Sequence, residues 1–326
     1  MKKTPVRLLA LTLVLAALFT LPACAKKPET PLSKTALFLQ SQGKEPSYGA
    51  LGGDWVVFGL ARSGESVPQN YLDTYYKNVV NYVEEAGGVL SERKYTEYSR
   101  VVLALTAIGK DPRDVAGYDL LLPLADLDAV VSQGLNGAIF ALLALDSGRY
   151  DIPENPDAAT QATREAYVEE ILRRELDSGG WALSGNEPDA DLTAMALQAL
   201  SKYRENPDVS AAVERGITAL ADLQEPNGAY LSWGEENSES VSQVITALTE
   251  LGLSPEDSRF VKNGQTLASV LERFSCEDGG YRHTRTGEAD EMATEQATEQ
   301  ALYALAAIHR AEAGLTTLYD MTDVMQ

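Results

Sequence analysis

Met195-Ala196-Leu197-Gln198-Ala199-Leu200 is one of six short apolar phrases that recur along this 326-residue chain. The others are Phe58-Gly59-Leu60-Ala61, Leu103-Ala104-Leu105-Thr106-Ala107-Ile108-Gly109, Phe140-Ala141-Leu142-Leu143-Ala144-Leu145, Ile245-Thr246-Ala247-Leu248-Thr249-Glu250-Leu251-Gly252 and Leu302-Tyr303-Ala304-Leu305-Ala306-Ala307-Ile308. Each joins high helix propensity to little polar surface. A helix that is apolar nearly all round is a buried helix. Between the phrases lie segments of another character, near 32–41, 69–86, 113–132, 157–176, 208–224 and 258–274. In 157–176, Arg164, Glu165, Glu169, Glu170, Arg173 and Arg174 share a helix with Tyr167, Ile171 and Leu172, the pattern of a half-exposed amphipathic helix. No long alternation of β-branched residues occurs, so strands are at most short. Six buried helices alternating with six half-exposed ones predict an inner ring inside an outer ring: an all-α, α6/α6 toroid over residues 32–326. An open solenoid would need end repeats with a polar outer face, and none is visible.

The composition is globular: 44% hydrophobic, 23% charged and 7% aromatic. With 27 basic against 48 acidic residues the net charge is −21, which makes nucleic acid a poor partner. Two cysteines and two histidines are too few for a disulfide framework or a Cys/His metal cluster. No metal and no required cofactor is expected.

The first residues read as an export signal. Lys2, Lys3 and Arg7 precede an apolar run from Leu8 to Leu21, short for a transmembrane span. The signal peptide is expected over 1–23, and Leu21-Pro22-Ala23-Cys24 resembles a bacterial lipoprotein box. Lipidation of Cys24, with 24–31 as a Lys/Pro tether, predicts an extracytoplasmic protein anchored to the cell membrane. Cleavage after Ala23 or Ala25 without lipid is the alternative. Cys276 would then be the remaining thiol, expected as a small buried hydrophobe.

Three of the buried helices follow a Gly-aromatic turn: Gly179-Gly180-Trp181, Gly228-Ala229-Tyr230 and Gly279-Gly280-Tyr281. Together with Gln224, the middle turn resembles the QW repeat of squalene cyclases and protein prenyltransferase β-subunits, with Tyr230 in place of Trp. Glu175 and Ser275 stand at the corresponding Gln positions of the other two. Asp189-Ala190-Asp191-Leu192-Thr193-Ala194-Met195-Ala196 resembles the Asp-x-Asp-Asp motif of class II terpene cyclases, and also a barrel-helix phrase of the intrinsic-factor and transcobalamin group. Residues 33–321 look like the prenyltransferase-like toroid module of Firmicute cell-surface proteins, through phrases such as Gln133-Gly134-Leu135-Asn136-Gly137 and Met292-Ala293-Thr294-Glu295-Gln296.

The resemblance implies a toroid that binds a partly apolar ligand at its mouth, a corrinoid among the ligands implied, or else a surface protein. It also implies an alternative, an isoprenoid-acting enzyme with Asp191 as acid. Leu192 stands where the cyclases keep a second carboxylate, and no Asp-x-Cys zinc pattern exists. A third reading is a structural or protein-docking module. Polar first-turn residues of inner helices should converge at one mouth, so the candidate ligand-binding residues are Asp189, Asp191, Gln133, Asn136, Trp181, Glu239, Gln243 and Tyr281. Asp189 and Asp191 read equally as N-caps, Glu239 and Gln243 as one solvated helix face, and Trp181, Tyr230, Trp233 and Tyr281 as packing plugs. His283 reads as an exposed loop histidine or an anion contact.

Overall fold

The computed structural model describes residues 29–285 and 292–324. The expected export signal, Cys24 and most of the expected tether lie outside the described residues. Twelve α-helices are described: α1 (Pro31–Ser41), α2 (Trp55–Arg62), α3 (Gln69–Glu85), α4 (Thr96–Ala107), α5 (Leu127–Val131), α6 (Leu135–Ser147), α7 (Arg164–Arg173), α8 (Ala190–Leu200), α9 (Pro207–Leu223), α10 (Ser238–Glu250), α11 (Leu267–Glu272) and α12 (Glu295–Glu312). A small antiparallel hairpin, β1 (Leu231–Ser232) and β2 (Glu235–Glu236), precedes α10.

The six apolar phrases lie on the even-numbered helices. Each of these packs on the next, and α12 packs on α2, so the series closes on itself. Every residue of α10 is buried, and so is nearly all of α6, as their apolar sequences require. The odd-numbered helices bury one stripe, such as Tyr75, Val79 and Val83 of α3 at four-residue spacing. The result is an α/α toroid.

The outer layer is less regular than the sequence reading has it. Residues 113–132 form no continuous helix. Val115 and Tyr118 pair through their backbones around Ala116 and Gly117, both at positive φ, and α5 begins only where Asp126 caps it. In 258–274, Lys262 and Gln265 pair around Asn263-Gly264, both also at positive φ. Asn-Gly is the signature of such a turn, and it displaces the start of α11 to Leu267. In 157–176 the helix is confined to Arg164–Arg173, behind the Thr163 cap. Cys276 is half-buried rather than enclosed, with Arg282 Nη2 3.6 Å from its sulfur.

The three Gly-aromatic turns are built alike. The N–H groups of Leu176, Glu225 and Cys276 donate to the carbonyls of Gly180, Ala229 and Gly280, at 3.0, 2.9 and 2.8 Å. Trp181, Tyr230 and Tyr281 are buried as plugs between helices. The Gln position is used in different ways. Gln224 Nε2 donates to the carbonyls of Gly228 (2.9 Å) and Phe260 (3.0 Å), whereas Glu175 takes a two-pronged contact from Arg215, 2.7 Å at each nitrogen.

After α12 the chain crosses the C-terminal ends of the inner helices. Buried Arg62, at the end of α2, donates to the carbonyls of Leu318, Thr317 and Asp320 and to Asp323. The Tyr319 N–H donates to Glu250 Oε1 at the end of α10 (3.0 Å), and the Met321 N–H to the Ser147 carbonyl at the end of α6 (2.9 Å). This tail covers one end of the ring. The opposite end, where the inner helices begin, is the mouth.

Candidate functional site

A cavity of about 470 Å³ opens at the mouth. Its construction follows from the helix starts. The N-caps Gly134, Asp189, Asn237 and Thr294 set the registers of α6, α8, α10 and α12. The second residues of these helices are then Asn136, Asp191, Glu239 and Gln296. Four residues later on the same faces stand Phe140, Met195, Gln243 and Gln300. All of these except Asn136 line the cavity. Asn136 Oδ1 is nonetheless buried without a hydrogen-bond partner among the described residues.

The floor is aromatic. The Trp55 ring lies 5.8 Å from Phe140 and 6.3 Å from Tyr303, and Tyr319 of the tail stacks on Phe58 at 5.3 Å. An amide network fixes the wall. Gln198 Nε2 donates to Gln243 Oε1 (2.9 Å), and Gln243 Nε2 donates to Tyr303 Oη (2.6 Å) and Gln300 Oε1 (3.1 Å).

Three carboxyl groups face this space. Glu239 meets His283 Nδ1, 2.9 Å from both oxygens. Asp191 Oδ1 is buried without a partner among the described residues. Burial pushes the Asp191 carboxyl up to about 6, helped by the nearby charges of Asp189 and Glu239 and opposed by Ser240 and His283. Burial likewise pushes Glu299 up to about 8. One Glu299 oxygen has no partner among the described residues. Behind it, the buried Asp54 accepts from Arg100 Nε and Tyr75 Oη, each at 2.6 Å. The loop before α2 approaches the rim through Gly52, at φ +69°. A Cβ there would sit 2.1 Å from Glu295 Oε1 and displace that side chain, and the left-handed backbone itself favours glycine. The described lining residues include no Lys or Arg.

Of the residues expected at the site, Asp191, Glu239 and Gln243 meet here, with Asn136 beside them. The other four lie elsewhere. Asp189 is the cap of α8, its Oδ1 accepting from the Leu192 N–H (2.9 Å), while Asp191 caps nothing. Gln133 bonds Thr96 at the start of α4, accepting from its N–H (3.0 Å) and donating to its hydroxyl (2.7 Å). Trp181 is fully buried and donates from Nε1 to the Ile171 carbonyl (2.7 Å). Tyr281 is buried, its N–H donating to Thr298 Oγ1 (2.9 Å). Trp233 is no plug: it is fully exposed at the rim. His283 is half-exposed yet bound to Glu239.

Sequence reading missed Gln296, Glu299, Gln300, Trp55, Phe140, Tyr303 and Tyr319. Aligning the inner helices on their caps would have found Gln296 and Gln300, which repeat the spacing of Glu239 and Gln243. Tyr319 carries no such signal, because only the return of the tail brings it under the cavity. A second hollow, of about 560 Å³, lies at the far ends of α10 and α12 and is lined mainly by Leu253, Pro255, Ala307, Ile308, Ala311 and Leu315. A third, of about 460 Å³, is lined by the charged residues Asp146, Arg149, Arg164, Lys202 and Asp320 with Tyr203. The mouth cavity differs in joining carboxyl groups to amides and an aromatic floor.

No protein-family model matches this chain, and no curated protein does. Solved structures share its fold at low identity. An unsaturated glucuronyl hydrolase responsible for the degradation of glycosaminoglycan, from Bacillus sp. GL1, is similar at a TM-score of 0.58 and 14% identity, over 89% of this chain and 97% of that one. Candida albicans protein geranylgeranyltransferase-I, in complex with GGPP, is similar at 0.59 and 11%, over 91% and 100%. At such identities the likeness concerns the α/α toroid fold alone.

Proposed function

We propose that the mouth cavity binds a neutral, hydroxyl-rich ring, the end of a saccharide, in a protein that acts as a binding module. The observation that carries this reading is the lining itself: amide and carboxyl groups one helical turn apart over an aromatic floor. Hydroxyl groups can both donate to such acceptors and accept from the glutamine amides, while the ring faces of Trp55, Phe140 and Tyr303 suit the apolar face of a sugar. An isoprenoid diphosphate fits poorly, because it would bring negative charge into a site with three carboxyl groups and no Lys or Arg among its described lining. A volume of about 470 Å³ suits a small ligand or one end of a larger one. A corrinoid would therefore rest on the rim rather than enter.

Calorimetric titration with monosaccharides, hydroxocobalamin and geranylgeranyl diphosphate tests the proposal. Saccharide binding is expected, weakened about tenfold in Gln300→Ala. Binding of the diphosphate or the corrinoid, and of no saccharide, would overturn it.

A second reading is favoured by one observation. Asp191 is half-buried, its Oδ1 enclosed without a partner among the described residues, and burial raises its carboxyl to about 6. Such a group can donate a proton to a departing glycosidic oxygen. Release of reducing sugar from a bound oligosaccharide, lost in Asp191→Asn with binding retained, would make the module an enzyme. We further propose that the toroid is exported and held at the outer face of the cell membrane by lipid on Cys24.

A further inference from the structure

Trp233 stands in an unfavourable setting on two counts. Ser232 pairs with Glu235, so Trp233 and Gly234 form the two-residue loop of the hairpin. Both are left-handed, Trp233 at φ +54° and Gly234 at +86°. Such turns favour Asn, Asp or Gly, and a bulky aromatic is among the least comfortable residues at positive φ. The indole is also fully in water, at 103% relative exposure. No ring stack or cation-π contact among the described residues involves it. A lone exposed apolar residue needs no explanation, but one held in a disfavoured backbone conformation at the rim of a cavity does.

The hairpin is also anchored. Asn227 Nδ2 donates to Glu236 Oε1 (2.6 Å), and Arg273 donates from Nη2 to Glu236 Oε2 (3.2 Å) and from Nη1 to the Asn227 carbonyl (2.9 Å). The next residue, Asn237, caps α10 through the Ser240 N–H (2.8 Å). The position of the indole base is therefore fixed relative to Glu239, two residues further on. With its backbone placed in this way, the indole has only two side-chain torsions to order when a ring stacks on it.

We propose that Trp233 is a rim platform for a second ring, so that the ligand is a chain of sugars whose end enters the cavity and whose next unit stacks on the indole. This rests on the saccharide reading of the cavity and names the length of ligand that it takes.

The test pairs each monosaccharide with its tetramer: glucose with cellotetraose, mannose with mannotetraose, and N-acetylglucosamine with chitotetraose. Titrations use the parent protein, Trp233→Asn and Trp233→Tyr. For at least one pair, the parent should bind the tetramer about tenfold more tightly than the monomer. Asn accepts the left-handed conformation, so Trp233→Asn should unfold at the same temperature as the parent or higher. It should lose most of the tetramer's advantage while monomer affinity falls far less, and Trp233→Tyr should keep most of that advantage. Equal affinity of the parent for monomer and tetramer would overturn the platform and leave the cavity reading standing. So would an undiminished advantage in Trp233→Asn, or an equal loss of both affinities. Failure of all six sugars to bind the parent would defeat the cavity reading and the platform with it.

Discussion

Gln198 Nε2 donates to both the backbone carbonyl of Gln243 (3.1 Å) and its side-chain Oε1 (2.9 Å), joining α8 to α10 in the wall of the cavity. Both residues are buried, so neither acceptor can turn to water instead. From Gln243 the network continues to Tyr303 on α12, and three consecutive inner helices share it.

Removing the donor should therefore cost more than one ordinary hydrogen bond. Gln198→Leu leaves Gln243 Oε1 buried without this donor, and should lower stability by about 1–3 kcal/mol. Urea unfolding checks this. An unchanged midpoint would mean that Gln243 finds another donor and that the wall is not held as described.

The two aspartates of α8 should part company. Asp189→Ala removes a cap and should cost about 0.5–2 kcal/mol. For Asp191 the effect depends on pH. Burial raises its carboxyl from 3.8 to about 6, so across that interval the folded protein keeps a proton that the unfolded chain has released. Stability accordingly falls as pH rises through this window, and the penalty stays in place above it. Asp191→Asn should stabilise the protein at pH 7 and change little near pH 3.5. Unfolding curves at the two pH values decide, and an Asp191→Asn protein less stable than its parent at pH 7 would refute the assignment.

Arg62 holds the tail. Its guanidinium is buried and donates to three tail carbonyls and to Asp323. Arg62→Met would leave the three tail carbonyls without this donor, while Asp323 keeps Arg310 (2.6 Å), and should cost about 1–3 kcal/mol. Limited proteolysis should then cut the tail first, followed by loss of saccharide binding as Tyr319 leaves the floor. A tail as resistant as the parent's would speak against this role.

Anchoring is tested apart from the fold. The mature protein should sediment with membranes and enter the detergent phase on extraction, and Cys24→Ser should release or misprocess it. Membrane association undiminished in that variant would exclude lipid on Cys24 as the anchor.

Much of the toroid was legible because helix burial is written locally. The phrases around Phe58, Leu103, Phe140, Met195, Ile245 and Leu302 are apolar on every side, and all lie on the buried helices. The amphipathic segments were harder to read. In 113–132 and 258–274 the apolar residues suit a helix, but Gly117 and Asn263-Gly264 turn the chain at positive φ, and local turn chemistry prevails over a weak helical stripe.

What the sequence by itself determined was the helix starts and the residues that follow them. An N-cap sets which side chain comes second and which comes sixth, so Asp191, Glu239 and Gln243 could be placed together from spacing alone. The tertiary structure decided which of the polar residues reach the cavity. Asp189 and Asp191 differ by two positions, a turn of about 200° on a helix, so one caps the backbone while the other faces the cavity. Trp181 and Trp233 both follow or precede glycine, yet one is sealed between α7 and α8 while the other stands in water at a hairpin tip. Contact between Tyr319 and the floor depends on a tail that crosses the whole ring. No local pattern encodes that, because its energy comes from Arg62, Ser147 and Glu250, which are distant in sequence and adjacent only once the ring has closed.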